Sequence, residues 1–309
     1  MNKYDLIVVG GGPAGITAGI YSARQGLDTL LISKNFGGQL TKKAVLIHNY
    51  PGFKKIAGLD LAKKFEEHLK SLDLDINQDE VVKIQKKNSF FSVFTNQKEF
   101  KSKSVILATG AKARRLGVSG EEKFLGKGVG YCVVCDGALF ADKKVAIIGG
   151  GNTGFEAAQF LSKIAKKIYL LEYSSQVKAD QRNQRIIEND SKTEIIINAQ
   201  LQKIKGDKFV NSIIYKDRKA QKKKELKVDG VFIQAGLETV YPELGDLVDF
   251  NKQDQVIFDL KTHKTKTPGL FVAGDVGVGK FKQIIIACGE GATASLSAFN
   301  YLKKNESKN

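Results

Sequence analysis

The stretch Tyr4-Asp5-Leu6-Ile7-Val8-Val9-Gly10-Gly11-Gly12-Pro13-Ala14-Gly15 decides the fold of this chain. Its apolar run from Tyr4 to Val9 predicts a strand, the glycines predict a tight turn, and Ile16 to Gln25 carries helical periodicity. Gly26 then punctuates the helix, and Thr29 to Ile32 supplies a second strand. The result is a βαβ unit with Gly10, Gly12 and Gly15 at the spacing of a dinucleotide fingerprint. Chemistry explains the residue types. Glycines let the backbone turn sharply and approach a pyrophosphate, which the unpaired N–H groups and dipole of the following helix attract.

The same grammar returns later in the chain: Lys144 to Ile148 reads as a strand, Gly149-Gly150-Gly151-Asn152-Thr153-Gly154 as a turn, Phe155 to Ile164 as a helix and Ile168 to Leu171 as a strand. Two copies imply two nucleotide sites, or one site and a relic. A lone glycine fingerprint is weak, but each copy here sits between a predicted strand and a predicted helix. Two further strands end in small residues, at Ala108-Thr109-Gly110 and at Ala273-Gly274-Asp275. Asp275 could accept a ribityl or ribose hydroxyl, or could cap the next helix.

Between the fingerprints lies Cys132-Val133-Val134-Cys135, followed at once by Asp136-Gly137. Thiols at this spacing serve either as half of a zinc site or as a redox pair. Zinc needs four ligands, and Cys288 with the scattered His48, His68 and His263 provides no second pair. A redox dithiol is the reading these neighbours support, since this spacing tunes thiol pKa. Asp136 reads as a proton-moving group beside the pair or as a turn residue of Asp-Gly.

A chain of 309 residues with 42% apolar content has material for about two packed domains. Glycines interrupt the apolar N-terminal run too early for a leader or a membrane span, and three cysteines fit a reducing compartment, so a cytoplasmic location without membrane association is expected. Lys plus Arg is 49 against 33 acidic residues, a net charge of +16. Such a charge attracts acidic proteins, nucleic acid or anionic lipid without choosing among them. The lysines are spread out and accompany no nucleic-acid module, so a solvated lysine-rich surface is favoured over nucleic-acid binding.

Together these motifs resemble the low-molecular-weight thioredoxin reductase family of pyridine nucleotide-disulfide oxidoreductases (class II). The resemblance runs through the first fingerprint, Gly37-Gly38-Gln39, Asn49-Tyr50-Pro51-Gly52, Ala108-Thr109-Gly110, the dithiol with Asp136, the second fingerprint and Ala273-Gly274-Asp275. Tyr131-Cys132, Leu170-Leu171-Glu172-Tyr173, Lys178-Ala179-Asp180-Gln181 and Phe281 to Ala287 are similar to the reductase portion of the alkyl hydroperoxide reductase flavoprotein subunit. The resemblance implies an α/β fold of two Rossmann-like three-layer nucleotide-binding domains, the second inserted in the first. An FAD domain is expected over residues 1–113 and 241–309, and an NAD(P)H domain with the dithiol over 114–240.

The same resemblance implies a homodimer and a relay from reduced nicotinamide through FAD to the dithiol. Cys135 is expected to face the flavin, Cys132 to attack the substrate disulfide, and Asp136 to exchange a proton with a departing thiol. FAD contacts are expected from Gly10, Gly12, Pro13, Ala14, Gly15, Gly38, Gln39, Asn49, Ala108, Thr109, Gly110, Gly274, Asp275, Gln283 and Ile284. Gly149, Gly151, Asn152, Thr153, Gly154, Glu172 and Lys178 are expected to hold the nicotinamide dinucleotide. Cys288 is expected to be buried packing. The alkyl hydroperoxide reductase flavoprotein begins with a thioredoxin-like extension that this chain does not show, so a separate, acidic thioredoxin-like or peroxiredoxin-system protein is the expected acceptor.

Charge bears on the second nucleotide. Glu172 ends the second strand of its unit, where a carboxylate bonds both ribose hydroxyls and repels a 2′-phosphate. The NADPH-using reductases carry a His-Arg-Arg run where this chain has Glu172, Tyr173 and Ser174, and Lys178 is the one cation expected nearby. NADH is therefore expected over NADPH. Two other functions compete: an NADH oxidase or peroxide-forming flavoprotein, and a flavin-loaded binding protein whose basic segment 216–227 recruits an acidic or nucleic-acid partner.

Overall fold

A computed structural model describes residues 3–41, 46–47 and 49–306. By packing the chain divides into two compact units, one of residues 1–44, 50–112 and 238–309, the other of 45–49 and 113–237. Each holds one of the two βαβ repeats. Among the described residues no helix is long and apolar enough to cross a membrane.

The first unit is built on a seven-stranded sheet. Its parallel part runs Asp75–Asn77, Thr29–Phe36, Lys3–Gly11, Glu99–Leu107, and the last strand continues through antiparallel pairs into Phe90–Thr95 and Val81–Lys87. Leu270–Val272 returns from far along the chain to pair in parallel with Val105 to Leu107. The opening strand is buried on both faces, which is why it reads as an unbroken apolar run. Leu6 and Val8 pack with Ile16, Ala18, Phe271 and Ala294 on the helical side, whereas Ile7 and Val9 pack with Phe91, Val93, Val256 and Phe258 on the other. Full burial of each such side chain is worth about 1.5–3 kcal/mol, so this strand fixes the register of the sheet.

The helix after the first turn spans Pro13–Arg24 rather than starting at Ile16. Proline is well suited to a first helical position, because its missing N–H would be unpaired there anyway. Gly12 is the N-cap, and its carbonyl accepts the Ile16 N–H at 2.9 Å.

In the second unit a five-stranded parallel sheet has the order Val129–Gly130, Gly230–Ile233, Lys144–Ile148, Lys167–Leu171, Thr193–Ile196. Val145 and Ile147 face the helix Asn152–Ser162 through Phe155 and Leu161, together with Val133 and Phe140. Ala146 and Ile148 face the opposite layer, an antiparallel sheet of Ala199–Gly206, Val210–Asp217 and Lys222–Lys227 that contributes Leu201, Ile204, Ile213 and Tyr215. Helices, parallel sheet and antiparallel sheet thus form three layers, the α/β architecture the two fingerprints called for.

Candidate active site: two glycine turns and a disulfide

Both glycine turns share one geometry, and the space around each Cα says why. Gly10 and Gly149 have φ of +119° and +122°, and a Cβ on either would come within 2.3 Å or 2.4 Å of the carbonyl oxygen of Ala108 or Gln234. Gly15 and Gly154 press on the preceding turn, where a Cβ would stand 1.8 Å or 1.9 Å from the oxygen of Gly10 or Gly149. Packing alone therefore demands glycine at these four positions. Gly12 and Gly151 are different: a Cβ there would meet nothing within 4 Å. Space left open at the N-terminus of a helix is the cradle in which a pyrophosphate lies against backbone N–H groups.

Other residues of the first unit complete that cradle. A Cβ on Gly38 would sit 3.1 Å from the Gly12 Cα, so the segment Gly38–Leu40 closes over the turn. The Gln39 amide bonds to the carbonyl of Ala111, and the Ala108 N–H to that of Val9 at 2.8 Å. Gly274 approaches from the other chain end, its Cα facing Ala14. Thr109 Oγ1 and Asn77 Nδ2 are buried without hydrogen-bond partners. Both lie at or just beyond the C-terminal ends of parallel strands in this sheet, where a bound dinucleotide supplies partners. The residues present thus fit an FAD.

Asp275, half-buried, does not occupy the N-cap of the next helix, which begins at Ile284 beside the half-buried Gln283. Two residues that the sequence reading passed over hold this turn. Glu290 Oε2 accepts the Gly274 N–H at 2.7 Å, and Lys282 Nζ donates to the carbonyls of Gly277 at 2.6 Å and Asp275 at 3.2 Å. Burial lowers the Lys282 pKa, against the pull of Asp275 and Glu290. Cys288 is buried, and burial pushes its thiol pKa up. The Tyr50 hydroxyl lies 3.8 Å from its sulfur and has its own pKa raised to about 12, by burial and by Cys288. Asn49 is exposed and by packing belongs to the second unit.

In the second unit Glu172 closes the glycine turn. Its Oε2 accepts the Gly150 N–H and its Oε1 the Ser174 N–H, each at 2.7 Å. Burial works to raise its pKa, but these N–H bonds and Lys178 outweigh it and hold the carboxyl below its usual value. Lys178, with an exposed side chain, bonds through its backbone N–H to the Gly150 carbonyl at 2.8 Å. Asn152 is committed elsewhere: its amide exchanges bonds with Asp180 at 2.9 Å and 2.7 Å. Thr153 and Gly154 lie in the first turn of that helix, Thr153 exposed and Gly154 buried.

Lys178 is not the one cation near this strand end. Arg218 stacks over the Tyr173 ring, 3.8 Å from its centroid, and donates to the Tyr173 carbonyl at 3.0 Å. No local pattern in the sequence reveals it, because it arrives on the antiparallel sheet.

Cys132 and Cys135 are joined as a disulfide with their Cα atoms 5.3 Å apart. The bond spans the short helix Val133–Asp136, whose N-cap is Cys132, and the Cys132 sulfur accepts the Cys135 N–H at 3.2 Å. Asp136 folds back on the strand before it: a Cβ on Gly130 would meet its Oδ2 at 2.9 Å. The segment entering the pair is anchored by the buried Glu121, whose carboxylate accepts the N–H groups of Leu116, Gly117 and Val118 and the Tyr131 hydroxyl at 2.5 Å. A disulfide at a helix start, both cysteines half-buried, can be opened by thiol–disulfide exchange and re-formed.

Known proteins are similar to this chain along nearly its whole length. A Bacillus subtilis protein named NADH dehydrogenase is 43% identical over 303 residues, which are 98% of this chain and 59% of that protein. An alkyl hydroperoxide reductase component of Pseudomonas aeruginosa is 40% identical over 307 residues, 97% of this chain and 58% of its own length. The chain thus spans somewhat under two thirds of these curated relatives. Thioredoxin reductase from Streptococcus pyogenes superposes with a TM-score of 0.90 at 34% identity, covering 98% of this chain and 99% of that one. The family model described as pyridine nucleotide-disulphide oxidoreductase matches residues 4–291, and with two nucleotide turns and a closely spaced disulfide in place, this chain belongs to that family.

Proposed function

We propose that the chain passes electrons from NADH, in preference to NADPH, through FAD and the Cys132–Cys135 pair to the disulfide of a separate thioredoxin-like or peroxiredoxin-system protein. The observation that carries this reading is the Cys132–Cys135 disulfide in the same unit as the second glycine turn. Bound FAD supplies the hydride-to-thiol chemistry. The chain's own groups do the rest. Cys132 attacks the acceptor's disulfide as thiolate and forms a mixed disulfide, which Cys135 resolves by displacing the second acceptor thiol. Asp136 exchanges the proton with the departing thiol. The balance is NADH, one proton and the acceptor disulfide in, NAD⁺ and the acceptor dithiol out. A homodimer, a cytoplasmic location and an acidic acceptor belong to the same proposal and rest on resemblance and on the +16 charge.

Support for NADH comes from Glu172, a carboxylate held in its charged form where an adenine ribose reaches the strand end. Arg218 and Lys178 are the cations that a 2′-phosphate would recruit against it. The test is kcat/KM with each nucleotide: a clear preference for NADPH overturns the cofactor assignment. Anaerobic addition of NADH and then of candidate redoxins to Cys132→Ser or Cys135→Ser tests the relay. Flavin reduction should persist and redoxin reduction should vanish in both. Full redoxin reduction in either variant removes the dithiol from the path.

A second reading is favoured by the relative named NADH dehydrogenase: electrons leave the flavin directly for oxygen or another acceptor. Turnover that needs no redoxin and survives loss of both cysteines would establish it.

A further inference from the structure

Lysines that look scattered along the sequence are gathered by the antiparallel sheet of the second unit. Its register sets Lys205 beside Ser212 and Lys227, Lys203 beside Ile214 and Glu225, and Gln200 beside Lys216 and Lys223. Strand side chains alternate between faces. Leu201, Ile204, Ile213, Tyr215 and Leu226 point into the core, so these rows share the outward face. Five lysines there oppose one carboxylate. Glu225 is already engaged, accepting Lys205 Nζ at 3.0 Å and the Ser212 hydroxyl at 2.6 Å.

Protection of a free edge explains lysines on Lys222–Lys227. It does not explain Lys216 on the central strand, set directly against Lys223 at a cost in stability. Nor does it explain Lys203 and Lys205, whose strand edge is bridged by Ser119. At the hairpin turn of the same sheet Phe209 is 66% exposed. Around it Lys123, Lys127, Lys208 and Asp207 line an open cleft of about 430 Å³.

We propose that this lysine face, with Phe209 at its turn, is a docking surface for an anionic phospholipid bilayer. A bilayer is planar and rearranges its headgroups under fixed lysines, so no groove shaped to a ligand is needed to receive it. Protein-interface cores are depleted in lysine and enriched in arginine and aromatics. Single-stranded nucleic acid needs a row of aromatics for stacking, and this face carries none beyond the turn. Phe209, exposed at the turn beside Lys123, Lys127 and Lys208, instead offers one apolar side chain for insertion. The face lies across the parallel sheet from Val133 and Phe140, which flank the disulfide on the other layer. Docking would therefore leave Cys132–Cys135 accessible, and the membrane-free behaviour expected from sequence would give way to reversible peripheral binding.

Co-sedimentation of the full chain with phosphatidylcholine vesicles, with and without a third of phosphatidylglycerol, tests the proposal. Binding should require the anionic lipid and weaken with salt. Lys203→Gln, Lys216→Gln and Lys223→Gln together should lower partitioning by about fivefold per lysine. Phe209→Ala should lower it about tenfold at low and high salt alike. Neutralising Lys64, Lys87 and Lys252, exposed lysines of the first unit, should change it less than twofold, and all variants should keep NADH-dependent activity. Equal losses in the two lysine triples, indifference to lipid charge, or tighter binding to heparin or duplex DNA in the same buffer would overturn it.

Discussion

At the scale of single residues, the glycines separate what the fold needs from what the ligand needs. Gly15→Ala would place a methyl 1.8 Å from the Gly10 oxygen, and overpacking of this kind costs about 1–3 kcal/mol or more. Gly12→Ala meets no protein atom within 4 Å, so apart from about 0.5–1 kcal/mol for a poorer N-cap that variant should melt near the parent without flavin yet fail to retain the yellow cofactor. Melting curves of both apo variants, with flavin absorbance of both purified proteins, check the pair. Retained flavin in Gly12→Ala would refute the cradle. Glu172 carries a pH signature. Its native pKa is lowered, so its contribution is fully present above the unfolded carboxyl pKa and is lost as pH falls through the native value. Urea midpoints measured from pH 7 downward should therefore fall more steeply for the parent than for Glu172→Gln. At pH 7 the variant should be weaker by roughly 1–3 kcal/mol, because an amide cannot accept from both the Gly150 and Ser174 N–H groups through two oxygens.

At the scale of elements, the segment leading into the disulfide depends on one buried carboxylate. Glu121→Ala strands the N–H groups of Leu116, Gly117 and Val118, each worth about 1–3 kcal/mol if left unpaired. Tyr131→Phe removes a single bond to the same group and should cost about 1 kcal/mol. Denaturant titration should show this order, and rates of disulfide reduction by dithiothreitol should rise more in Glu121→Ala than in Tyr131→Phe. This anchor also shows where sequence reading stops. Each βαβ repeat is legible because an apolar run, a glycine turn and a helical period are neighbours in sequence. The true start of the first helix is hidden because its initial turn carries Pro13 and small residues rather than an apolar stripe. The Cys132–Cys135 pair is legible from spacing. Glu121 under Tyr131, Glu290 under Gly274, Lys282 under Asp275 and Arg218 on Tyr173 are not. Those contacts depend on where loops and sheets return, which no local period encodes.

At the scale of the whole molecule, the first unit is discontinuous in sequence and the second is a continuous insertion apart from residues 45–49. The first sheet receives Leu270–Val272 on the same strand, Glu99–Leu107, that pairs with the opening strand. Helix Ile284–Glu306 contributes Ala287, Ala294 and Ala298 to the core that buries Leu6 and Val8. The first unit thus cannot form until its C-terminal segment has joined its two N-terminal ones, whereas the parallel and antiparallel sheets of the second lie wholly within 113–237. Two calorimetric transitions are expected, each responsive to its own nucleotide. A ligand at about a hundred times its Kd adds about 2.7 kcal/mol to the unit that binds it, a shift of roughly 5–15 °C for domains of this size. FAD should raise the transition of the first unit and NAD⁺ that of the second. A chain ending before Leu270 should lose the FAD-responsive transition and keep the other. One transition moved equally by both ligands, or an FAD response surviving that truncation, would mean that the units do not fold as the separate bodies their packing describes.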